Sequence, residues 1–151
     1  MHRRTILKAS LATLPWLYIQ SAQAAEAEVY VDEEKAAALS GWDAVSYFAK
    51  SGPIAGKPEH STKWKGASWQ FSSAENLELF KAAPEKYAPQ FGGYCAYAAA
   101  KGSTAPGDPE AWTVHNDKLY INLSTSIRKL WLKDTEGNIS KADANWPAIL
   151  N

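Results

Sequence analysis

The sequence is short of sulfur. Its 151 residues include one cysteine and one methionine. A single thiol, Cys95, excludes an internal disulfide, and no C-x-x-C or H-x-x-x-H pair supplies ready metal-ligand spacing. The methionine is Met1, so the chain left by a removed leader carries none, which argues against a methionine-rich copper carrier. Neither sign of charge is in excess: 16 Lys and Arg balance 16 Asp and Glu. This excludes the basic patch that a nucleic-acid binder needs and a strong field for steering a charged ligand. The apolar stretch from Ala9 to Ile19 is too short to span a bilayer and holds Pro15. No internal repeat, low-complexity tract or inter-domain linker is evident along the chain.

What is present begins with a targeting signal. His2-Arg3-Arg4-Thr5-Ile6-Leu7-Lys8 is basic, the apolar stretch follows, and Ala22-Gln23-Ala24 offers a small-x-small cleavage site. Residues 1–24 are therefore expected to be a signal peptide cleaved near Ala24. The protein is expected in a bacterial periplasm, with no membrane span once the leader is gone. The paired arginines resemble a twin-arginine leader, which exports folded proteins; an ordinary secretory leader is basic too. Removing Arg3, Arg4 and Lys8 leaves a mild acidic excess. The remaining residues suffice for one domain with one core. Seven Trp and seven Tyr are a high aromatic load for such a chain, and they are expected to fill that core.

Local patterns predict short elements. Residues 25–40 form a lead-in, with a short strand at Val29-Tyr30-Val31 and a helical turn from Ala36 that Ser40-Gly41 ends. Asp43 is expected to cap a short helix carrying Val45, Tyr47 and Phe48. The polar stretch Gly56 to Thr62 reads as a loop. Trp64 to Phe71 reads as a hairpin turning at Lys65-Gly66. Ser72-Ser73-Ala74-Glu75 has the form of a capping box before a helix with Leu77 and Phe80 inward. Pro84 stops that helix. After Gly92-Gly93, an alanine-rich helix runs to Gly102, with Cys95 in or near its first turn. Strands Ala111–His115 and Lys118–Asn122 pair about Asn116-Asp117. Ser124 or Ser126 caps a helix bearing Ile127, Leu130 and Trp131, Gly137 ends it, and Ser140 starts a last helix. The expected fold class is α+β: a small single domain of short antiparallel strands interleaved with short helices.

Taken in order, several segments resemble the YHS-domain family in its exported bacterial branch. They are Gly41-Trp42-Asp43-Ala44-Val45-Ser46-Tyr47-Phe48, Trp69 to Asn76, Phe80, Pro84 to Ala96, Asp108 to Trp112, Lys118 to Asn122 and Lys141 to Pro147. The resemblance covers residues 41–151. It implies a YHS-like domain there. The family's metal-binding relatives use Asp-Pro-Val-Cys and then Phe-Cys-Ser-x-x-Cys at a strand-to-helix junction, where converging thiolates suit soft metals. This chain reads Asp43-Ala44-Val45-Ser46 and Phe71-Ser72-Ser73-Ala74-Glu75-Asn76. Ser46, Ser72 and Asn76 stand at the thiol positions and are poor ligands for such metals. The resemblance thus implies the fold without the family's thiolate site.

Cys95 has two readings: a small buried core residue, or a ligand or reactive thiol at a helix start, where free N–H groups favour a thiolate. His60, in a loop, and His115, at a strand end, could join it in a sulfur–nitrogen site for copper or zinc. Each is otherwise a solvated histidine. Asp43 is a ligand, an acid or a cap. Tyr47, Tyr94 and Tyr97 line a ligand groove near Cys95 or fill the core. Three functions follow. The first is an exported binding module for a transition metal or small ligand near Cys95. The second is an accessory domain that docks on an envelope protein. The third is a thiol redox protein, weakened by the lack of a resolving cysteine. No catalytic residue is assigned, and the binding module is preferred to an enzyme.

Overall fold

A computed structural model describes residues 24–151. The expected signal peptide lies outside these residues, apart from Ala24. Among the described residues no helix is long and apolar enough to cross a membrane. Among the described residues the fold is α+β, with three antiparallel two-stranded sheets and short helices between them. Strands β1 (Val31–Asp32) and β2 (Ala37–Ala38) form a small lead-in sheet. Strands β3 (Lys57–Trp64) and β4 (Ala67–Phe71) form the first hairpin, followed by helices α1 (Ala74–Ala82) and α2 (Pro84–Tyr87). Helix α3 (Ala96–Ala100) precedes the second hairpin, β5 (Asp108–His115) and β6 (Lys118–Asn122). Helices α4 (Thr125–Trp131) and α5 (Thr135–Asn145) complete the chain.

The architecture contains a repeat that the residue pattern conceals. Each half opens with a left-handed turn, at Leu39-Ser40-Gly41 and at Phe91-Gly92-Gly93, every residue of which has positive φ. Trp42 N–H closes the first turn on Leu39 O at 2.9 Å, and Tyr94 N–H closes the second on Phe91 O at 3.0 Å. The next residue donates to a distant carbonyl in both halves, Asp43 to Ile54 O at 3.0 Å and Cys95 to Ala105 O at 2.9 Å. Both hairpins then share one register and one bulge. Lys57 pairs with Phe71, then Ser61 with Gln70; Asp108 pairs with Asn122, then Trp112 with Ile121. Both turn through two positive-φ residues, Lys65-Gly66 and Asn116-Asp117, the backbone that a two-residue hairpin requires. A serine caps the following helix in each half, Ser73 Oγ accepting from Asn76 N–H and Ser124 Oγ from Ile127 N–H. Residues 39–81 and 91–132 are thus two copies of one structural unit, correcting the expectation of no repeat.

The units pack on two cores. The first gathers Trp69, Phe71 and Phe80 with Leu119 and Ile121 of the second hairpin. The second gathers Phe91, Ala96, Ala99, Tyr120, Trp131 and Ala142. Strand β6 lies between them. Leu119 and Ile121 face one core and Tyr120 the other, which is why residues 119–122 are all buried.

Several local expectations are revised. The stretch from Lys57 to Thr62 belongs to β3, because Lys57, Ser61 and Thr62 pair with β4 although the side chains are polar. Ala37 and Ala38 enter β2 and not a helical turn, while Ala36 closes the preceding turn on Asp32 O. Only Val31 of the expected first strand is paired as strand. The α1 cap is Ser73, one residue beyond the first serine of the expected box. Gly137 does not end a helix. It lies in the first turn of α5, where its N–H donates to Asp134 at 3.0 Å, and α5 runs unbroken through Ser140.

Candidate functional site

Asp43 is the most heavily hydrogen-bonded side chain of the first unit, and it is completely buried. The left-handed turn before it aims its carboxylate inward. Oδ1 accepts from Val45 N–H at 2.9 Å and Ser46 N–H at 3.3 Å, so Asp43 does cap the turn that carries Tyr47 and Phe48. Oδ2 accepts from Ser72 N–H at 2.8 Å, Ser72 Oγ at 2.6 Å and Asn76 Nδ2 at 2.8 Å. Five donors thus replace the water that a carboxylate loses on burial. Ser46 Oγ donates to Asp43 O at 2.6 Å and accepts from Ile54 N–H at 2.8 Å. Ser46, Ser72 and Asn76 are the positions at which the YHS resemblance expects thiolates. Here they build a closed brace around an acid. It ties the first turn to the β4–α1 junction and leaves Asp43 no lone pair aimed at solvent.

Cys95 occupies the equivalent position in the second unit, also buried. Its thiol lies 3.6 Å from Asn122 Oδ1, which also accepts from Tyr97 N–H at 3.1 Å. Cys95 N–H is itself bonded to Ala105 O. In the first turn of α3, Tyr97 N–H is bonded to Asn122 Oδ1 and Ala99 N–H to Cys95 O. The glycines before Cys95 serve backbone crossing. A Cβ on Gly92 would stand 1.8 Å from Glu28 O, and one on Gly107 would stand 2.0 Å from Gly93 O. Chain segments pass on both sides of Gly92-Gly93 too closely for any side chain.

The expected metal set is not assembled. Among the described residues no group of three or more His, Cys, Asp and Glu side chains could hold a metal ion. Cys95 is enclosed beside Asn122. His60 lies partly exposed on β3, and His115 Nε2 pairs with Glu136 at the surface. His60 lies on β3, His115 on β5 and Cys95 just before α3. The three tyrosines, read as groove or core residues, have separate partners. Tyr47 donates to Pro109 O at 2.9 Å and packs edge-on against Trp112. Tyr94 donates to Ala27 O at 2.7 Å. Tyr97 packs on the second core with Lys101 Nζ 5.0 Å above its ring. Burial, followed by the nearby acids Asp108, Glu110 and Asp43, pushes the Tyr47 hydroxyl well above the ordinary tyrosine range. Burial, then Glu26 and Tyr30, raises that of Tyr94. These phenols are neutral braces.

An open groove of about 370 Å³ lies where several segments meet, and residue patterns did not reveal it. Trp64 from the first hairpin, Phe91 from the second left-handed turn and Trp146 after α5 form its walls. Phe91 and Trp146 rings stand 6.0 Å apart. Glu28 and Lys65 form an ion pair on its rim, and Lys65 Nζ lies 4.8 Å from the Trp64 ring. Glu85, Lys118 and Asp143 add charge of both signs. No known protein family, curated protein or solved structure matches the chain.

Proposed function

We propose that the chain is an exported binding module of YHS-like fold that holds a small organic ligand in the groove walled by Trp64, Phe91 and Trp146. The observation that carries this reading is the convergence of three aromatic rings with acids and lysines around about 370 Å³. That volume suits a small molecule, and aromatic rings set among charged groups of both signs suit one carrying both an apolar body and a charge. The groove borders the Phe91-Gly92 turn that leads into Cys95, so the ligand lies near the cysteine segment without touching the thiol. The alternatives near Cys95 have less support. Among the described residues no three His, Cys, Asp or Glu side chains gather to hold copper or zinc, and for a thiol redox centre the single cysteine is buried and has no second cysteine to resolve it.

The test is a nitrogen–proton NMR titration of the mature chain with amino acids, aromatic amines and small carboxylates. A binder is expected to shift the indole N–H signals of Trp64 and Trp146 together. Trp146→Ala is expected to weaken it at least about tenfold, the loss of about 1.4 kcal/mol. Stoichiometric metal in protein purified without chelators, lost in Cys95→Ser, would overturn this reading. So would binders whose shifts avoid both tryptophans.

A further inference from the structure

Two donors in the second core have no acceptor among the described residues: Asn122 Nδ2 and Trp131 Nε1. Both side chains are completely buried. Their counterparts in the first unit are Phe71 and Phe80, whose rings pack 4.9 Å apart. The equivalence is metric as well as topological. Trp69 stacks on Phe80 at 5.0 Å and 31°, and Tyr120 stacks on Trp131 at 5.2 Å and 37°. Trp131 therefore takes the seat of Phe80. Asn122, on the same face of β6 as Tyr120, takes that of Phe71. Where the first unit packs two phenyl rings, the second sets two groups that each carry a donor. An unpaired buried donor costs about 1–3 kcal/mol, and buried donors at the seats of two rings that touch in the first unit call for an acceptor. An amide also fills less space than a phenyl ring. Turning the amide over does not help, because Oδ1 is needed by Tyr97 N–H at 3.1 Å.

We propose that Asn122 Nδ2 and Trp131 Nε1 form a water site inside the second unit, where one molecule accepts from both. A water oxygen has two lone pairs, one for each nitrogen, and a buried water ordinarily has two to four such partners. The apolar side chains of the second core supply no cation, so a buried anion would go unneutralised and a neutral acceptor is favoured. The water fixes the Asn122 amide from its nitrogen side. The oxygen side then stays turned to Tyr97 N–H and the Cys95 thiol. In the first unit the Asp43 carboxylate orders its turn directly; in the second, Asn122 and the water do so from β6.

The test uses the wild-type chain. A crystal structure at high resolution is expected to show one water-sized peak within about 3.2 Å of both nitrogens. In solution, the Trp131 indole proton and the Asn122 amide protons are expected to cross-relax with a long-lived water. Separate acceptors for the two nitrogens, no peak within reach of both, or no such cross-relaxation would each overturn the proposal. Trp131→Phe restores the first-unit residue. It is expected to speed exchange of the Asn122 amide protons by about tenfold, and an unchanged, fully occupied water would also count against a shared site. If that variant does not fold, the wild-type measurements decide alone.

Discussion

At the scale of single residues, two buried groups at equivalent positions behave differently. Asp43 is a charge held by five donors. Asp43→Ala strands those donors, so a loss of about 3 kcal/mol or more is expected in urea unfolding. Cys95 makes one long contact with an amide oxygen. Cys95→Ala should therefore cost only about 1 kcal/mol and leave ligand binding in the groove unchanged. The native thiol should react with a disulfide reagent only as fast as the chain opens, and at once in denaturant. Prompt reaction in the folded protein would restore the functional reading of the cysteine. Only part of this was legible in the sequence. The capping role of Asp43 follows from near neighbours, but its bonds to Ser72 and Asn76 span 29 and 33 residues. Asn122 gave no sign of being the partner of Cys95, because nothing in a strand's alternation marks which distant side chain it meets.

At the scale of elements, turns and caps were the most readable features, because their chemistry is local. Lys65-Gly66 and Asn116-Asp117 turn where expected, and Ser124 caps α4. The α1 junction separates two adjacent serines. Ser73 caps the helix, whereas Ser72 donates twice to Asp43. Ser73→Ala should cost about 1 kcal/mol, the usual value of a cap. Ser72→Ala removes a charge-assisted bond and should cost about 1.5–3 kcal/mol. Thermal unfolding of the two variants checks the order, and a reversed order would mean that the brace is weaker than its geometry. The Lys57–Thr62 part of β3 resembles a loop in the sequence because polar residues on an outer hairpin strand carry no apolar alternation.

At the scale of the molecule, β6 is shared by both cores, so neither unit can open without exposing the strand that both pack on. Unfolding is expected as one transition, with calorimetric and van't Hoff enthalpies in agreement; two resolved transitions would make the units independent. Its pH dependence follows from the phenols. Burial comes first among the causes that raise the hydroxyls of Tyr47, Tyr94 and Tyr120. Above the unfolded value of about 10 the unfolded chain loses these protons while the folded chain keeps them. Their stabilisation is therefore intact below about pH 10 and declines as pH rises toward the higher folded values. Urea midpoints from pH 8 to 11 test this, and a flat profile would contradict it.

By itself the sequence determined the α+β class, the two tight turns, a serine cap for α4 and the lack of an internal disulfide. Each depends on residue type and on partners a few positions away. Only the tertiary structure decided that the chain is one unit built twice, that Asp43 is a brace, and that Trp64, Phe91 and Trp146 enclose a groove. The physical reason is that the repeat is kept in backbone register, left-handed turns and ring seats while residue identities differ, as with Asp43 and Cys95 or Phe71 and Asn122. Groups far apart in the chain acquire their roles from packing, and packing leaves no periodic trace in the residue order.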